Sequence, residues 1–127
     1  CVARANALSL GLDVRMMASC WLESVSGVFD LIVSNPPYID AQDPHLQQGD
    51  VKFEPLSALV APDSGLADLQ HICQNDTKFL NDGVWLWLEH GYQQAEAVQQ
   101  LLRQAGFRNV SSRRDYGGQW RISGGQR

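Results

Sequence analysis

Residues 29–40 read Phe-Asp-Leu-Ile-Val-Ser-Asn-Pro-Pro-Tyr-Ile-Asp, an apolar run that stops abruptly at Asn35-Pro36-Pro37-Tyr38. Nothing else in the chain restricts its fold as sharply. Phe29 to Val33 is short and rich in branched apolar side chains, the pattern of a strand buried on both faces of a parallel sheet. Two successive prolines fix φ and withhold two backbone donors, so the strand must end at Asn35. Ligands of open α/β sheets bind just beyond the carboxyl ends of the strands. The run therefore predicts a planar amide, a rigid turn and an aromatic ring where such sheets do their chemistry.

The remaining chain alternates helical and strand-like periods. Val2 to Leu10 has the spacing of an amphipathic helix stopped at Gly11, and Val14 to Ala18 suits a short strand. Val28 to Ser34 is the central strand. Asp40 to Asp63 is crowded with turn residues and has no period, which predicts a long functional loop. Asp63 or Ser64 caps an expected helix over Leu66–Leu80, Asn81-Asp82-Gly83 reads as a turn, and Val84 to Leu88 as a second buried strand. Gln93 to Gln104 has helical spacing and stops at Gly106, and Asn109 to Arg114 predicts a polar strand near an edge. From Gly117 onward the composition predicts no element. Strands alternating with helices imply one α/β domain on a largely parallel sheet.

The tetrad suggests a chemistry of its own. The Asn35 side-chain oxygen and the Pro36 carbonyl are two acceptors on a rigid turn, suited to both hydrogens of an NH2 group on a planar carbonyl or ring. Tyr38 offers a flat face for stacking. An amide nitrogen is a poor nucleophile because its lone pair is delocalised. Gripping both hydrogens favours the form in which that pair is available, a gain realised in the transition state. Holding the nitrogen in line with an electrophilic methyl group adds a proximity effect of up to roughly 7–11 kcal/mol in ideal cases. A sulfonium donor removes the need for a strong base. The plain alternative is loop punctuation, because Pro-Pro beside Asn is common in turns.

Asn-Pro-Pro-Tyr after a hydrophobic strand resembles the motif of S-adenosyl-L-methionine-dependent amino-methyltransferases. Flanking residues narrow the likeness: Ile39-Asp40, Phe53-Glu54-Pro55-Leu56 with Ala58-Leu59, Asp63-Ser64-Gly65-Leu66, and Leu88-Glu89-His90-Gly91. That ordered series is similar to the HemK/PrmC family, the protein-(glutamine-N5) methyltransferases that modify the Gly-Gly-Gln tripeptide of peptide chain release factors. The resemblance runs from the first helix to about Tyr116. It implies a Rossmann-like class I methyltransferase fold, S-adenosyl-L-methionine as cofactor, release factors as protein partners and a cytoplasmic setting. On this chain it makes Asn35 and Pro36 the groups that hold the acceptor amide, Pro37 the rigid element and Tyr38 the ring packed over it. Trp21 and Asn35 border the cofactor, with a core-edge aromatic as the plain alternative for Trp21.

The chain also departs from that family. Members hold the methyl donor on a Gly-rich loop after the first strand and its ribose on an acidic residue ending the second. Such a loop uses exposed backbone N–H groups and an approach that only glycine permits. Before Asn35 this chain has only Gly11 and Gly27, each isolated. Cys1 matches the middle of the helix after the family's second strand, which predicts a carboxyl-terminal portion, a single partial domain over 1–127 lacking half of the cofactor site. In Met17-Ala18-Ser19-Cys20-Trp21-Leu22, Cys20 stands where the family usually has an acidic residue suited to the adenine amine, and a thiol does not replace that acceptor.

Other residues are weighed on the same terms. Glu54, in the long loop, orders the acceptor turn, binds substrate or is a solvated carboxylate. Glu89 and His90 end a strand at the same edge as Asn35 and either border the pocket or bond neighbouring loops, the second being the simpler reading. Gly117-Gly118-Gln119 and Gly124-Gly125-Gln126 repeat the tripeptide that the family methylates, a coincidence expected of a glycine-rich tail. Cys1, Cys20 and Cys73 lack metal-type spacing and His45, His71 and His90 are scattered, so reduced thiols and no metal site are expected. No segment is apolar enough to span a bilayer, and Cys1-Val2-Ala3-Arg4 does not read as a signal peptide.

A net charge of −4 argues against a general nucleic-acid binder. Arg103, Arg108, Arg113, Arg114, Arg121 and Arg127 nevertheless cluster at the end with Asp115 as the only acid among them, fitting an acidic or RNA-associated partner or, more simply, a solvated strand and tail. Two rival functions stay open. An adenine-N6 or cytosine-N4 nucleic-acid methyltransferase shares the tetrad because an exocyclic amine poses the same problem. A non-catalytic fragment or binding module accounts for the missing Gly-rich loop.

Overall fold

The computed structural model describes residues 2–39, 58–60 and 65–127. Most of the expected loop over Asp40–Asp63, with Glu54 and the Asp63 or Ser64 cap, lies outside the described residues. The described residues form helices α1 (Val2–Ser9), α2 (Ala67–Asn75) and α3 (Ala95–Gln104), and strands β1 (Phe29–Ser34), β2 (Leu80–Glu89), β3 (Arg108–Arg114) and β4 (Trp120–Gln126). A 3-10 turn over Asp76–Phe79 joins α2 to β2.

The strands make one mixed sheet in the order β1–β2–β4–β3. β1 and β2 are parallel, with Leu31 opposite Trp85 and Val33 opposite Trp87, as a crossover through α2 requires. β4 lies between β2 and β3 and is antiparallel to both. Residues 115–119 are too short a link for a parallel crossover, so β3 and β4 pair as a hairpin. The α/β expectation is met in the β1–α2–β2 unit, and the hairpin adds an antiparallel half.

One face of the sheet holds the core. Leu69, Ile72 and Cys73 on α2 recur at i, i+3 and i+4, and Val98 and Leu102 on α3 at i and i+4. They pack with Leu86 and Leu88, which alternate along β2, and with Leu80 and Phe107. The opposite face carries Leu31, Val33, Trp85 and Trp87. Trp85 and Trp87 stack with centroids 5.5 Å apart and planes 16° apart, but Leu31 and Val33 remain 53% and 69% exposed. β1 is thus covered on one face, not on both as its composition predicts.

Three other expectations are corrected. Val14 to Ala18 forms no strand: a strand needs a ladder partner, and no described residue pairs with this stretch. β2 starts at Leu80 and runs through the expected Asn81-Asp82-Gly83 turn, because Gly83 N–H donates to the Arg127 carbonyl and Arg127 N–H to the Val84 carbonyl, both at 2.9 Å. The stretch after Gly117, expected to form nothing, contains β4. Gly118, at φ +80°, shapes the hairpin turn, where the Asp115 carboxylate accepts from Gln119 N–H at 2.9 Å. Gly124 and Gly125 fit tight spaces. A Cβ on Gly124 would collide with the Trp87 ring, and one on Gly125 would lie 2.7 Å from the Phe107 Cβ. Packing therefore accounts for the second Gly-Gly-Gln triplet.

Candidate active site

β1 delivers Asn35 to the sheet's carboxyl edge, as its sequence predicts. Asn35 is exposed on the wall of a cleft of about 450 Å³ whose lining includes Val33, Trp87, Glu89 and Arg113. The Arg113 guanidinium lies 5.0 Å from the centre of the Trp87 ring, joining β3 to β2 across this opening. Pro36 is buried, and Pro37 and Tyr38 are half-buried. The Tyr38 hydroxyl donates to Glu89 Oε1 at 2.8 Å, so the last residue of β2 anchors the ring that follows β1. Ile39 N–H donates to the Leu59 carbonyl at 2.9 Å and Ile39 bridges Val60, extending the turn into a short parallel pairing.

Trp21 does not line the Asn35 cleft. It takes a left-handed φ of +49°, packs against the core cluster and faces the His71 ring at 5.5 Å. Glu54 lies outside the described residues. Sequence reasoning missed Gln94, whose amide donates to the Tyr38 carbonyl at 3.0 Å. The only local signal was a glutamine at a helix start, where a shorter capping side chain is usual.

His90 follows β2 directly and turns into the protein. Its Nε2 meets Ser123 Oγ at 2.7 Å and its Nδ1 meets the Gly91 carbonyl at 2.8 Å. Ser123 Oγ is 2.6 Å from Ser112 Oγ, which accepts from Gln99 Nε2 at 2.7 Å. With His90 neutral, one direction satisfies this chain. The Gly91 carbonyl can only accept, so Nδ1 carries the proton; Ser123 donates to Nε2, Ser112 to Ser123, and Gln99 to Ser112. Burial holds the His90 pKa below its ordinary 6.5, outweighing the Gly91 bond that pulls it up; neighbouring Arg121 lowers it further. The folded protein therefore favours neutral His90. Its contribution to stability is complete above pH 6.5 and is lost as pH falls from there through the lower folded value. Denaturant unfolding at several pH values should show this loss, and His90→Gln should abolish that segment of the pH dependence. An unchanged profile in the variant would contradict the assignment.

Among the described residues, Gly11 (φ +64°) and Gly27 (φ +98°) take left-handed backbone conformations with open space around an added Cβ. The described residues place the Asn35-Pro36-Pro37-Tyr38 turn at the carboxyl end of β1, beside the cleft. No described helix is long and apolar enough to cross a membrane.

The fold is that of the methyltransferases. A methyltransferase from Pyrococcus furiosus superposes over 96% of this chain and 53% of its own with a TM-score of 0.67 at 20% identity. The release factor-specific protein-(glutamine-N5) methyltransferase of Alicyclobacillus acidocaldarius matches 79% of this chain and 49% of its own, with a TM-score of 0.50 at 29% identity. No protein-family model matches the chain. In sequence, the chain is similar to the carboxyl-terminal part of the release factor glutamine methyltransferases. It is 54% identical to that of Salmonella typhimurium over 127 residues and 53% identical to that of Yersinia pestis over 126, each match covering 98% of this chain. The chain spans 46% of the length of these relatives.

Proposed function

We propose that this chain is the acceptor-binding, carboxyl-terminal portion of a cytoplasmic methyltransferase that transfers a methyl group from S-adenosyl-L-methionine to the side-chain amide nitrogen of the glutamine in the Gly-Gly-Gln tripeptide of peptide chain release factors. The observation that carries the reading is the Asn35-Pro36-Pro37-Tyr38 turn, anchored by Glu89 at the end of a parallel strand. Identity to the named relatives over 98% of the chain supports the choice of substrate. The uncovered Leu31 and Val33 support a further layer of protein on that face of the sheet.

Asn35 Oδ1 and the Pro36 carbonyl accept the two hydrogens of the substrate amide, and Pro37 keeps them at a fixed spacing. Tyr38 packs over the amide plane, and Glu54, outside the described residues, is a further candidate for substrate contact. When bound, S-adenosyl-L-methionine would supply an electrophilic methyl group; Asn35 would border it from the cleft and Trp21 from outside that cleft, at the edge of the core, with the remaining contacts from the longer polypeptide.

The test joins the amino-terminal remainder of the Salmonella typhimurium relative to this chain. Calorimetry with S-adenosyl-L-methionine and methyl transfer to a release factor are then measured on the joined protein and on the 127 residues alone. Donor binding and glutamine methylation by the joined protein only are expected. Methylation of adenine or cytosine in oligonucleotides, with the release factor untouched, would overturn the reading. Tight donor binding by the 127 residues would show that the account of the incomplete donor site is wrong.

A further inference from the structure

Three elements meet at one side-chain amide outside the tetrad. Gln94 holds the N-cap position of α3, yet its side chain makes no capping hydrogen bond. Its Oε1 accepts the Gly91 N–H at 2.8 Å, and its Nε2 donates to the Tyr38 carbonyl at 3.0 Å. One partner only donates and the other only accepts, so the orientation of the amide is determined. Two glycines keep the space around it open. A Cβ on Gly91 would lie 3.1 Å from Gln94 Oε1; one on Gly65, at φ +78°, would lie 2.8 Å from Nε2 and collide with the Tyr38 carbonyl. A helix start without its cap and two glycines around a neutral amide break local rules together, which is typical of a position under functional demand.

We propose that Gln94 is a positioning residue for the Asn35-Pro36-Pro37-Tyr38 turn; this rests on the glutamine-methylation reading. Both prolines have fixed φ, so the segment behaves as a stiff lever, and a bond at the Tyr38 carbonyl is felt at Asn35. Glu89 anchors the Tyr38 ring, while Gln94 anchors its backbone. Together they set the height and tilt at which Asn35 Oδ1 and the Pro36 carbonyl face the acceptor nitrogen.

The decisive variant is Gln94→Glu in the joined protein. It keeps the shape and the acceptor for Gly91 N–H, but the ionised carboxylate turns an oxygen toward the Tyr38 carbonyl. kcat should fall on the order of 100-fold, the scale of a small displacement of reacting groups, with donor affinity unchanged. As pH falls and the carboxyl group regains a proton to donate, the ratio of variant to unmodified kcat should rise, a recovery that a purely structural defect would not produce. Slow hydrogen exchange at the Gln94 side-chain amide of the unmodified protein should appear by NMR whether or not the variant folds. An unchanged kcat, a pH-independent ratio or a freely exchanging amide would overturn the role. No glutamine methylation by the unmodified joined protein would instead sink the functional reading, and this role with it.

Discussion

Asn35→Ala is expected to reduce kcat of the joined protein on the order of 10²–10³-fold, the range found when one pre-oriented hydrogen-bonding group is removed from a site of developing charge. In the proposed reaction the amide nitrogen becomes more positive as it attacks, so an N–H bond to Asn35 would strengthen toward the transition state. Hence kcat should fall more than KM rises. The fold should survive, because Asn35 is exposed while the turn is held by buried Pro36, by the Tyr38–Glu89 bond and by Gln94. Asn35→Asp retains an acceptor at the same place and should keep more activity than the alanine variant. Methyl-transfer kinetics on a release factor provide the check, and an unaltered kcat for Asn35→Ala would remove Asn35 from the mechanism.

Gly124→Val should strongly destabilise the fold. Gly124 lies in β4 opposite Trp87, and any Cβ there runs into the Trp87 ring. Trp87 is also confined by the Trp85 stack and the Arg113 guanidinium, so it has little room to yield. Overpacking of this kind destabilises by about 1–3 kcal/mol and occasionally more, and the central position of β4 favours the upper end. Denaturant unfolding gives the loss directly. Combining Gly124→Val with Trp87→Leu should be less harmful than the sum of the two, with a coupling of roughly 0.5–3 kcal/mol. Strict additivity would show that the collision is not the cause.

Much of the candidate site was legible in the chain. The Phe29–Val33 run and the two prolines placed a strand end at Asn35, and local spacing found α2, the middle of β2, and α3. Of the two readings of Glu89 and His90, bonding to neighbouring segments holds for His90, whereas Glu89 both bonds Tyr38 and lines the cleft. β4 was not legible, since Ser123-Gly124-Gly125-Gln126 has weak strand propensity and is held by pairing on both sides. The same pairing carried β2 through Asn81-Asp82-Gly83, a local turn signal overruled by bonds to Arg127.

Periodicity, proline placement and residue type by themselves determined the alternating plan and the end of β1 at the Asn35-Pro36-Pro37-Tyr38 turn. These are short-range properties, set by φ restriction and by which faces are apolar. Only the tertiary structure decided how the turn is anchored. Tyr38 meets Glu89 across 51 residues, Gln94 reaches Tyr38 across 56, and His90 finds Ser123 across 33. Hydrogen bonds over such separations depend on strand order and register, which the packing of the whole sheet sets and no local pattern encodes.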